Sequence, residues 1–267
     1  MTIPISGARV LLTGASGGIG DAIARELHGR GATVVVSGRR AELLDALREE
    51  LGPRIECAPA DLAKAKEVDG LVAAAGAVDV LVANAGLPAS GPYDGFTVDE
   101  IDRALMVNLR APIQLTRALA PAMVGRGKGQ LVYISSISGK IATSGASLYS
   151  ATKFGLRGYA FGVGRDLTGS GVGASCVFPG FISDAGMFAD TGLETPPGIG
   201  TSKPEEVVAA VVKAIERGPS EIDVAPAFVR ASAKLSGIAP NLVAGISTRL
   251  GGEKFAGEFG KRQQDKQ

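Results

Sequence analysis

Short apolar runs alternate along the chain with longer segments in which apolar residues recur on one helical face. Most of the short runs are continuous, as in VVV and VLV, which is typical of strands buried on both faces of a parallel sheet. Such alternation forms right-handed βαβ units and predicts an α/β fold, a doubly wound parallel sheet of about seven strands with helices on both faces. We expect the strands at residues 8–13, 33–37, 54–59, 78–83, 129–135, 173–178 and 221–224.

Helical periodicity fills the intervals between these strands. We expect helices at residues 18–29, 41–51, 63–75, 98–124, 148–168 and 204–217. The pattern shows no internal repeat and no linker, so one domain is expected over residues 1–250, partly helical after residue 227. The polar, glycine-rich segment 251–267 is expected to fray.

Composition excludes several classes of protein. Hydrophobic residues make up 45% of the 267, which is enough for a large core, and the net charge of +1 offers no basic surface for nucleic acid. No apolar run approaches the ~18 residues of a membrane span, and no basic segment followed by an apolar run begins the chain. We therefore expect a cytoplasmic protein in which Cys57 and Cys176, both in predicted strands, are free buried thiols.

A glycine-rich turn follows the first predicted strand. Gly14, Gly18 and Gly20 lead into a helical pattern, where backbone amides and the helix dipole can face a pyrophosphate that the glycines allow to approach. The spacing is G-x-x-x-G-x-G rather than the usual G-x-G-x-x-G, and no G-K-[ST] ending indicates a nucleoside triphosphatase. The turn predicts a dinucleotide site, with ordinary turn glycines as the alternative.

Tyr149 and Lys153 lie one helical turn apart in YSATK, and Ser136 precedes the tyrosine by thirteen positions. A phenol is a poor acid at neutral pH, but an adjacent cation favours the phenolate and lowers its pKa. A serine hydroxyl nearby could hold a carbonyl oxygen for the phenol to protonate, which predicts carbonyl–alcohol redox chemistry. The single histidine, His28, ends the first helix, so neither a Ser-His-acid hydrolase nor a Cys/His metal site is supported.

These features together resemble the classical short-chain dehydrogenase/reductase family over roughly residues 6–225. The motifs TGASGGIG, ANAG, MVNLRAP, YSATK and FPG occur in the family's order and spacing. The resemblance implies a Rossmann-type fold and an NAD(P)-dependent oxidoreductase acting on CH–OH groups, such as a carbonyl reductase. The cofactor-binding residues that it implies are Gly14, Ser16, Gly18, Ile19, Gly20, Asp61, Leu62, Asn84, Ala85, Gly86, Tyr149, Lys153, Pro179, Gly180 and Ile182.

The resemblance also implies roles for the catalytic set. Tyr149 is the acid in reduction and the base in oxidation, and Ser136 orients the carbonyl oxygen. The neighbours Ser135 and Ser138 could compete for that role, but the spacing to Tyr149 selects Ser136. Lys153 lowers the pKa of the phenol and binds the nicotinamide ribose. Asn108 is placed at a helix distortion, where its backbone carbonyl binds a water of a proton relay; an exposed polar residue is the alternative.

The residues that follow the second predicted strand indicate which cofactor the protein uses. Gly38 stands where enzymes that use NAD usually place an acid for the ribose 2′-hydroxyl, and Arg39 follows, able to pair with a 2′-phosphate. NADP is therefore favoured over NAD, with Arg40 as a weaker partner and a solvated arginine as the alternative. Asp61 is expected to be the N-cap of the third helix. The resemblance implies that it binds the adenine of the cofactor, and both roles can hold together.

The region after FPG departs from the family pattern. Asp184 stands where a threonine is usual, so either Ser183 substitutes for it or the loop shifts. Residues 181–200, here called the lid, are expected to be mobile and to contact a small hydrophobic carbonyl or alcohol substrate. The expected substrate contacts are Ser138, Phe181, Met187 and Phe188.

The sequence also bears on the assembly of the protein and on the role of its C-terminal segment. Helices near 102–123 and 148–167 carry apolar residues on more than one face, which predicts a homodimer through the helices that the family pairs. The segment 227–250 covers the substrate cleft or blocks the contact of a tetramer. Rival functions are a non-catalytic dinucleotide sensor or scaffold on the same fold and an epimerase or dehydratase that retains its cofactor.

Overall fold

The computed structural model of the chain describes residues 3–196, 198–249 and 252–264. The strands are β1 Arg9–Thr13, β2 Thr33–Ser37, β3 Ile55–Cys57, β4 Val80–Ala83, β5 Gly129–Ile134, β6 Val172–Pro179 and β7 Glu221–Val224. They form one parallel sheet in the order β3-β2-β1-β4-β5-β6-β7. The order reverses between β1 and β4, which leaves a crevice at the carboxyl ends of these strands. The predicted doubly wound parallel sheet is confirmed.

The helices cover both faces of this sheet. They are α1 Gly18–Gly29, α2 Ala41–Leu51, α3 Ala65–Ala75, α4 Val98–Leu105, α5 Ala111–Gly125, α6 Ser147–Asp166, α7 Gly186–Ala189, α8 Pro204–Arg217, α9 Ala227–Ser236, α10 Pro240–Arg249 and α11 Gly252–Gln264. Among the described residues, no helix is long and apolar enough to cross a membrane.

Successive residues of β1 pack into two separate hydrophobic cores, because side chains alternate between the two faces of a sheet. Leu12 belongs to the cluster that includes Ile23 of α1, whereas Leu11 belongs to the cluster that includes Leu115 of α5 and Leu156 of α6. All five side chains are almost completely buried. The continuous apolar runs of the sequence therefore reflect a sheet with helices against each face.

The helix expected over residues 98–124 is interrupted. It consists of α4, a π-helical turn at Met106–Arg110 and α5. A π turn accommodates one extra residue per turn and often marks a functional site. The helix expected from residue 63 begins at Ala65, with Lys64 as its N-cap, so the N-cap interpretation of Asp61 is wrong.

The expectation that 251–267 frays is wrong for residues 252–264, which form α11; residues 251 and 265–267 lie outside the described ranges. The physical reason is that Phe255 and Phe259, four residues apart, share one helical face and pack against aromatic residues of the lid. Residues 227–249 form α9 and α10, as the expectation of partial helix implied. Cys57, which is half-buried, and Cys176, which is buried, are both free.

Candidate active site

A cavity of about 1160 Å³ lies where the strands end. Because the carboxyl ends of parallel strands meet at one edge of a sheet, segments that are distant in sequence converge there. Every residue predicted to bind cofactor or substrate lines this cavity, and so do three of the four predicted catalytic residues. These residues are Gly14, Ser16, Gly18, Ile19, Gly20, Arg39, Asp61, Leu62, Asn84, Ala85, Gly86, Ser136, Ser138, Tyr149, Lys153, Pro179, Gly180, Phe181, Ile182, Met187 and Phe188.

The glycine-rich turn between β1 and α1 is closed by contacts that exclude side chains. Gly14 has a φ of 70°, and a Cβ there would lie 2.8 Å from the Cα of Ala85. A Cβ on Gly20 would overlap the carbonyl oxygen of Gly14. α1 begins without a side-chain cap, and its first residues, Gly18, Ile19 and Gly20, line the cavity, so this helix start suits an anion.

Two asparagines, Asn84 and Asn108, hold backbone segments near the cavity through side-chain hydrogen bonds. The side chain of Asn84 donates to the carbonyl oxygens of Thr13 at 3.0 Å and Gly14 at 3.2 Å, which ties the end of β4 to the glycine-rich turn. Asn108 is completely buried on the π turn and does not line the cavity. Its Oδ1 accepts from the N–H of Leu87 at 2.7 Å, and its Nδ2 donates to the Leu87 carbonyl at 3.0 Å. The alternative of an exposed Asn108 is therefore wrong.

Ser136, Tyr149 and Lys153 converge because a short turn after β5 packs tightly on α6. A Cβ on Gly139 of this turn would lie 2.7 Å from the Lys153 carbonyl oxygen, so the two backbones are in close contact. Ser135 donates its hydroxyl to that same carbonyl at 3.0 Å, which removes it as a competitor of Ser136. Ser136 Oγ in turn accepts the N–H of Ser138 at 3.1 Å.

Burial dominates the electrostatics of the Tyr149–Lys153 pair. It raises the pKa of the Tyr149 phenol to about 12, and a hydrogen bond with Ser136 only partly opposes this. It lowers the pKa of Lys153 to about 8. Lys153 Nζ lies 5.6 Å from the Tyr149 ring centroid and donates to the carbonyl oxygen of Ile134 at 3.0 Å. In this arrangement the expected lowering of the phenol pKa by Lys153 is not present.

The end of the cavity beside β2 is cationic. Arg39 is exposed and lines the cavity, and Arg40 Nη2 donates to the Ser16 carbonyl at 2.5 Å. A further arginine, Arg103 of α4, lines the same end and lies 3.4 Å from the Asp61 carboxylate. Sequence reasoning missed Arg103 because only the docking of α4 brings it to a residue 42 positions away.

Asp61 is held in its ionised form. Burial raises the pKa of its carboxyl group, but a hydrogen bond from the Ala63 N–H at 3.1 Å and the charge of Arg103 outweigh that effect. The net result is a pKa below the usual value. Asp61 therefore places one negative charge among the arginines at this end of the cavity.

The lid leaves Asp184 facing the cavity. Ser183 donates its N–H and its hydroxyl to the Ser202 carbonyl, and Ser183 does not line the cavity, so substitution by Ser183 is not supported. Asp184 lines the cavity with a φ of 63°, a left-handed backbone that aspartate tolerates better than most residues. Ala185 follows directly and contacts the glycine-rich turn, since a Cβ on Gly18 would lie 2.9 Å from the Cβ of Ala185.

Residues beyond β7 form part of the cavity wall. Phe228 and Leu235 of α9, Val243 of α10 and Phe255 and Phe259 of α11 all line the cavity. The segment 227–249 thus covers the cleft, one of its two expected roles; residue 250 lies outside the described ranges. The two phenylalanines of α11 were missed in the sequence, where their spacing of four inside a polar segment was the available signal.

Comparison with known proteins places this site in a family. A family model described as short chain dehydrogenase matches residues 8–195. The chain belongs to this family of oxidoreductases. A ketoacyl reductase, HetN, from a Nostoc species is 39% identical over 226 residues, which cover 82% of this chain and 78% of that protein.

Two solved structures of short-chain dehydrogenases show the same fold. One from Sphingobium yanoikuyae in complex with NADPH has a TM-score of 0.76 and 28% identity, covering 87% of this chain and 94% of its own. One from Burkholderia cenocepacia in complex with NADP has a TM-score of 0.78 and 26% identity, covering 93% and 99%. The short chain dehydrogenase model ends at residue 195, so α9, α10 and α11 lie outside the matched range.

Proposed function

We propose that this short-chain dehydrogenase is an NADP(H)-dependent oxidoreductase that interconverts a ketone or aldehyde with the corresponding alcohol. The observation that carries the proposal is the convergence of Ser136, Tyr149, Lys153 and the glycine-rich turn on one cavity. A dinucleotide sensor needs the turn alone, whereas the half-buried phenol of Tyr149 and the buried ammonium of Lys153 serve proton transfer. An epimerase or dehydratase that retains its cofactor is a distinct outcome, which release of the dinucleotide on gel filtration would contradict.

Tyr149 is the proton donor in reduction and the acceptor in oxidation. A pKa of about 12 keeps the phenol protonated at neutral pH, ready to donate. The alkoxide that forms on reduction of a carbonyl is a stronger base than a phenolate, so this proton transfer is favourable. The Ser136 hydroxyl lines the same cavity and would hold the carbonyl oxygen for Tyr149 to protonate.

Lys153 returns the proton that Tyr149 gives up. With a pKa of about 8, it can lose and regain a proton near neutral pH, as a relay group must. Asn108, which holds Leu87 from behind, fixes the wall beside Gly86, whose Cβ position lies 3.5 Å from Lys153 Nζ. Asn108 is thus a positioning residue for the relay.

The residues present fit a phosphorylated nicotinamide dinucleotide, which would supply the hydride when bound. Gly14 and Gly20 allow a tight turn that a side chain at either position would disrupt, and the uncapped start of α1 suits a pyrophosphate. We assign NADP over NAD because no acid ends β2 and because Arg39 lines the cavity there. The NADP-bound relatives favour the same choice.

The apolar wall formed by the lid and by α9 favours a hydrophobic carbonyl or alcohol. Phe181, Met187 and Phe188 line it from the lid, and Phe228 and Leu235 line it from α9. The description of the Nostoc relative as a ketoacyl reductase is consistent with a carbonyl group on an apolar chain. We therefore propose ketones and aldehydes with extended apolar substituents as the substrate class.

The test is a screen of hydrophobic ketones and aldehydes for oxidation of NADPH, followed by Tyr149→Phe. This variant removes only the hydroxyl that transfers the proton, so turnover should fall by roughly 10²–10⁴ while NADPH affinity changes only a few-fold. Tyr159→Phe is the matched control, since Tyr159 lies on the same helix but does not line the cavity. Near-normal turnover of Tyr149→Phe would contradict the mechanism and favour a sensor.

A further inference from the structure

The helix α11 presents one face to the cavity and the other to solvent. Positions four apart on a helix share a face, and the residues of α11 that line the cavity follow that spacing. They are Phe255, Ala256, Phe259 and Gln263. Of the residues between them, Glu258, Lys261 and Arg262 are exposed, whereas Gly260 is buried. The helix is therefore oriented as a wall of the cavity.

Aromatic contacts fix this wall to the lid. The Phe181 ring lies 5.4 Å from Phe255 and 6.0 Å from Phe259, with near-perpendicular planes. Phe188 lies 6.4 Å and 6.1 Å from the same two rings. Four rings thus form one cluster at the end of the cavity, with Phe181 and Phe188 from the lid and two from α11.

Glycines allow the other side of α11 to approach the body of the protein. A Cβ on Gly260 would lie 3.2 Å from the Cα of Gly91, and a Cβ on Gly145 would lie 3.3 Å from the carbonyl oxygen of Ala256. Gly91 also donates its N–H to the Gly145 carbonyl at 2.7 Å. The helix is therefore in contact with the lid on one side and with these two loops on the other.

Gln263 places a polar group in this apolar setting. Gln263 is only 6% exposed and lines the cavity, and its buried Oε1 has no hydrogen-bond partner within residues 3–196, 198–249 and 252–264. Native proteins rarely leave a buried polar atom without a partner, because the group loses its bonds to water and gains nothing in return. An amide oxygen in this position is an acceptor for a donor that enters the cavity.

We propose that α11 forms the distal part of the substrate site, where Phe255 and Phe259 contact an apolar chain and Gln263 Oε1 accepts a hydrogen bond from a hydroxyl or N–H group of the substrate. The inference rests on the proposed carbonyl–alcohol function and narrows it. The substrate class becomes an elongated apolar carbonyl or alcohol that carries a hydrogen-bond donor remote from the reacting carbon. These residues lie beyond the part of the chain that the family model matches.

The first test uses a homologous series of methyl ketones, each paired with its counterpart that carries a terminal hydroxyl group. Wild-type protein should prefer the hydroxylated ketone at one chain length, the length at which the hydroxyl reaches Gln263. Gln263→Leu keeps the approximate size and removes the acceptor, so kcat/KM for that ketone should fall by roughly 10- to 100-fold, mainly through KM. The unsubstituted ketone should change only a few-fold.

Arg262→Leu is the matched control, because it makes a comparable change at the adjacent, exposed position of the same helix. It should leave both ketones unaffected. Gln263→Leu should unfold at a denaturant concentration no lower than wild type, since it removes a buried polar atom that has no partner. The inference would be overturned if wild type showed no preference for the hydroxylated ketone at any chain length, or if Gln263→Leu kept that preference. In that case only water forms hydrogen bonds with the Gln263 amide oxygen.

A binding measurement separates this inference from the proposed function. Titration calorimetry with the matching diols and simple alcohols needs no hydride transfer, and the diol of the preferred length should bind wild type and Tyr149→Phe alike. Gln263→Leu should lose that preference. If no carbonyl is turned over but the Gln263-dependent binding persists, the distal site stands and the proposed reaction fails. If carbonyls are reduced and Gln263→Leu has no effect, the proposed reaction stands and the distal site fails.

Discussion

Replacing Lys153 by methionine should make the protein more stable while abolishing its relay. Lys153 is only 3% exposed, and burial lowers its pKa from 10.5 to about 8. The folded protein therefore disfavours the charged form, and this penalty is complete below pH 8, where the lysine is charged in both the folded and the unfolded chain. At about 1.4 kcal/mol per pKa unit, the penalty amounts to roughly 3 kcal/mol.

Methionine removes the charge and keeps the length of the side chain. It also removes the hydrogen bond from Nζ to the Ile134 carbonyl, a loss of about 1 kcal/mol. At pH 7 the free energy of unfolding of Lys153→Met should therefore exceed that of wild type by roughly 2 kcal/mol. As the pH rises from 8 to 10.5, the unfolded lysine also loses its proton, the penalty fades, and the advantage of the variant should vanish near pH 10.

Urea denaturation of both proteins at a series of pH values measures this difference. Lys213→Met provides the control, because Lys213 is exposed on α8 and its removal should give no pH-dependent gain. The reasoning would be refuted if Lys153→Met were less stable than wild type at pH 7, or if its advantage stayed constant with pH. Carbonyl reduction and NADPH binding should both be impaired in the variant at every pH.

Three further predictions test other parts of the molecule. Arg39→Ala should weaken NADPH binding about ten- to a hundredfold in a fluorescence titration, because a charge-assisted hydrogen bond is worth roughly 1.5–3 kcal/mol. NADH binding should stay nearly unchanged. Equal binding of both dinucleotides by wild type would argue against NADP. Asn108→Ala should lower the free energy of unfolding in urea by roughly 2–4 kcal/mol, because it leaves the N–H and carbonyl of Leu87 without their side-chain partner. Light scattering at micromolar concentration should give at least the mass of a dimer, since Phe154 and Phe161 are 40% and 53% exposed on α6, and a monomeric mass would contradict this.

The elements that periodicity predicted well are those whose pattern is local. β2, β7, α1, α2 and α8 have the expected bounds, because apolar runs or turn residues delimit each of them in the sequence. The π turn could not be found in this way, since the apolar pattern of residues 98–124 continues through it. The π turn contains Asn108, whose side chain forms hydrogen bonds with the backbone N–H and carbonyl of Leu87 and with the Thr152 hydroxyl, all in other segments of the chain.

The sequence predicted which residues share one cavity but not the electrostatics of that cavity. The motif spacings brought Ser136, Tyr149 and Lys153 to one cavity, as expected. The spacing of Tyr149 and Lys153 on a helix says nothing about burial, which raises the pKa of the phenol and lowers that of the ammonium. Likewise Arg103 and Phe259 acquire their roles only from residues that are remote in sequence.

The contact between Ala185 and Gly18 would allow coupling between the glycine-rich turn and α11 if the proposed dinucleotide and substrate both bind in the cavity. The lid rests on the turn that suits a pyrophosphate and, through Phe181 and Phe188, on α11. The proposed dinucleotide at the turn and the proposed substrate beside α11 would therefore both contact the lid. Reciprocity then requires that each ligand changes the affinity for the other by the same factor. A residue of α11 far from the phosphates can accordingly alter the apparent affinity for the dinucleotide without touching it.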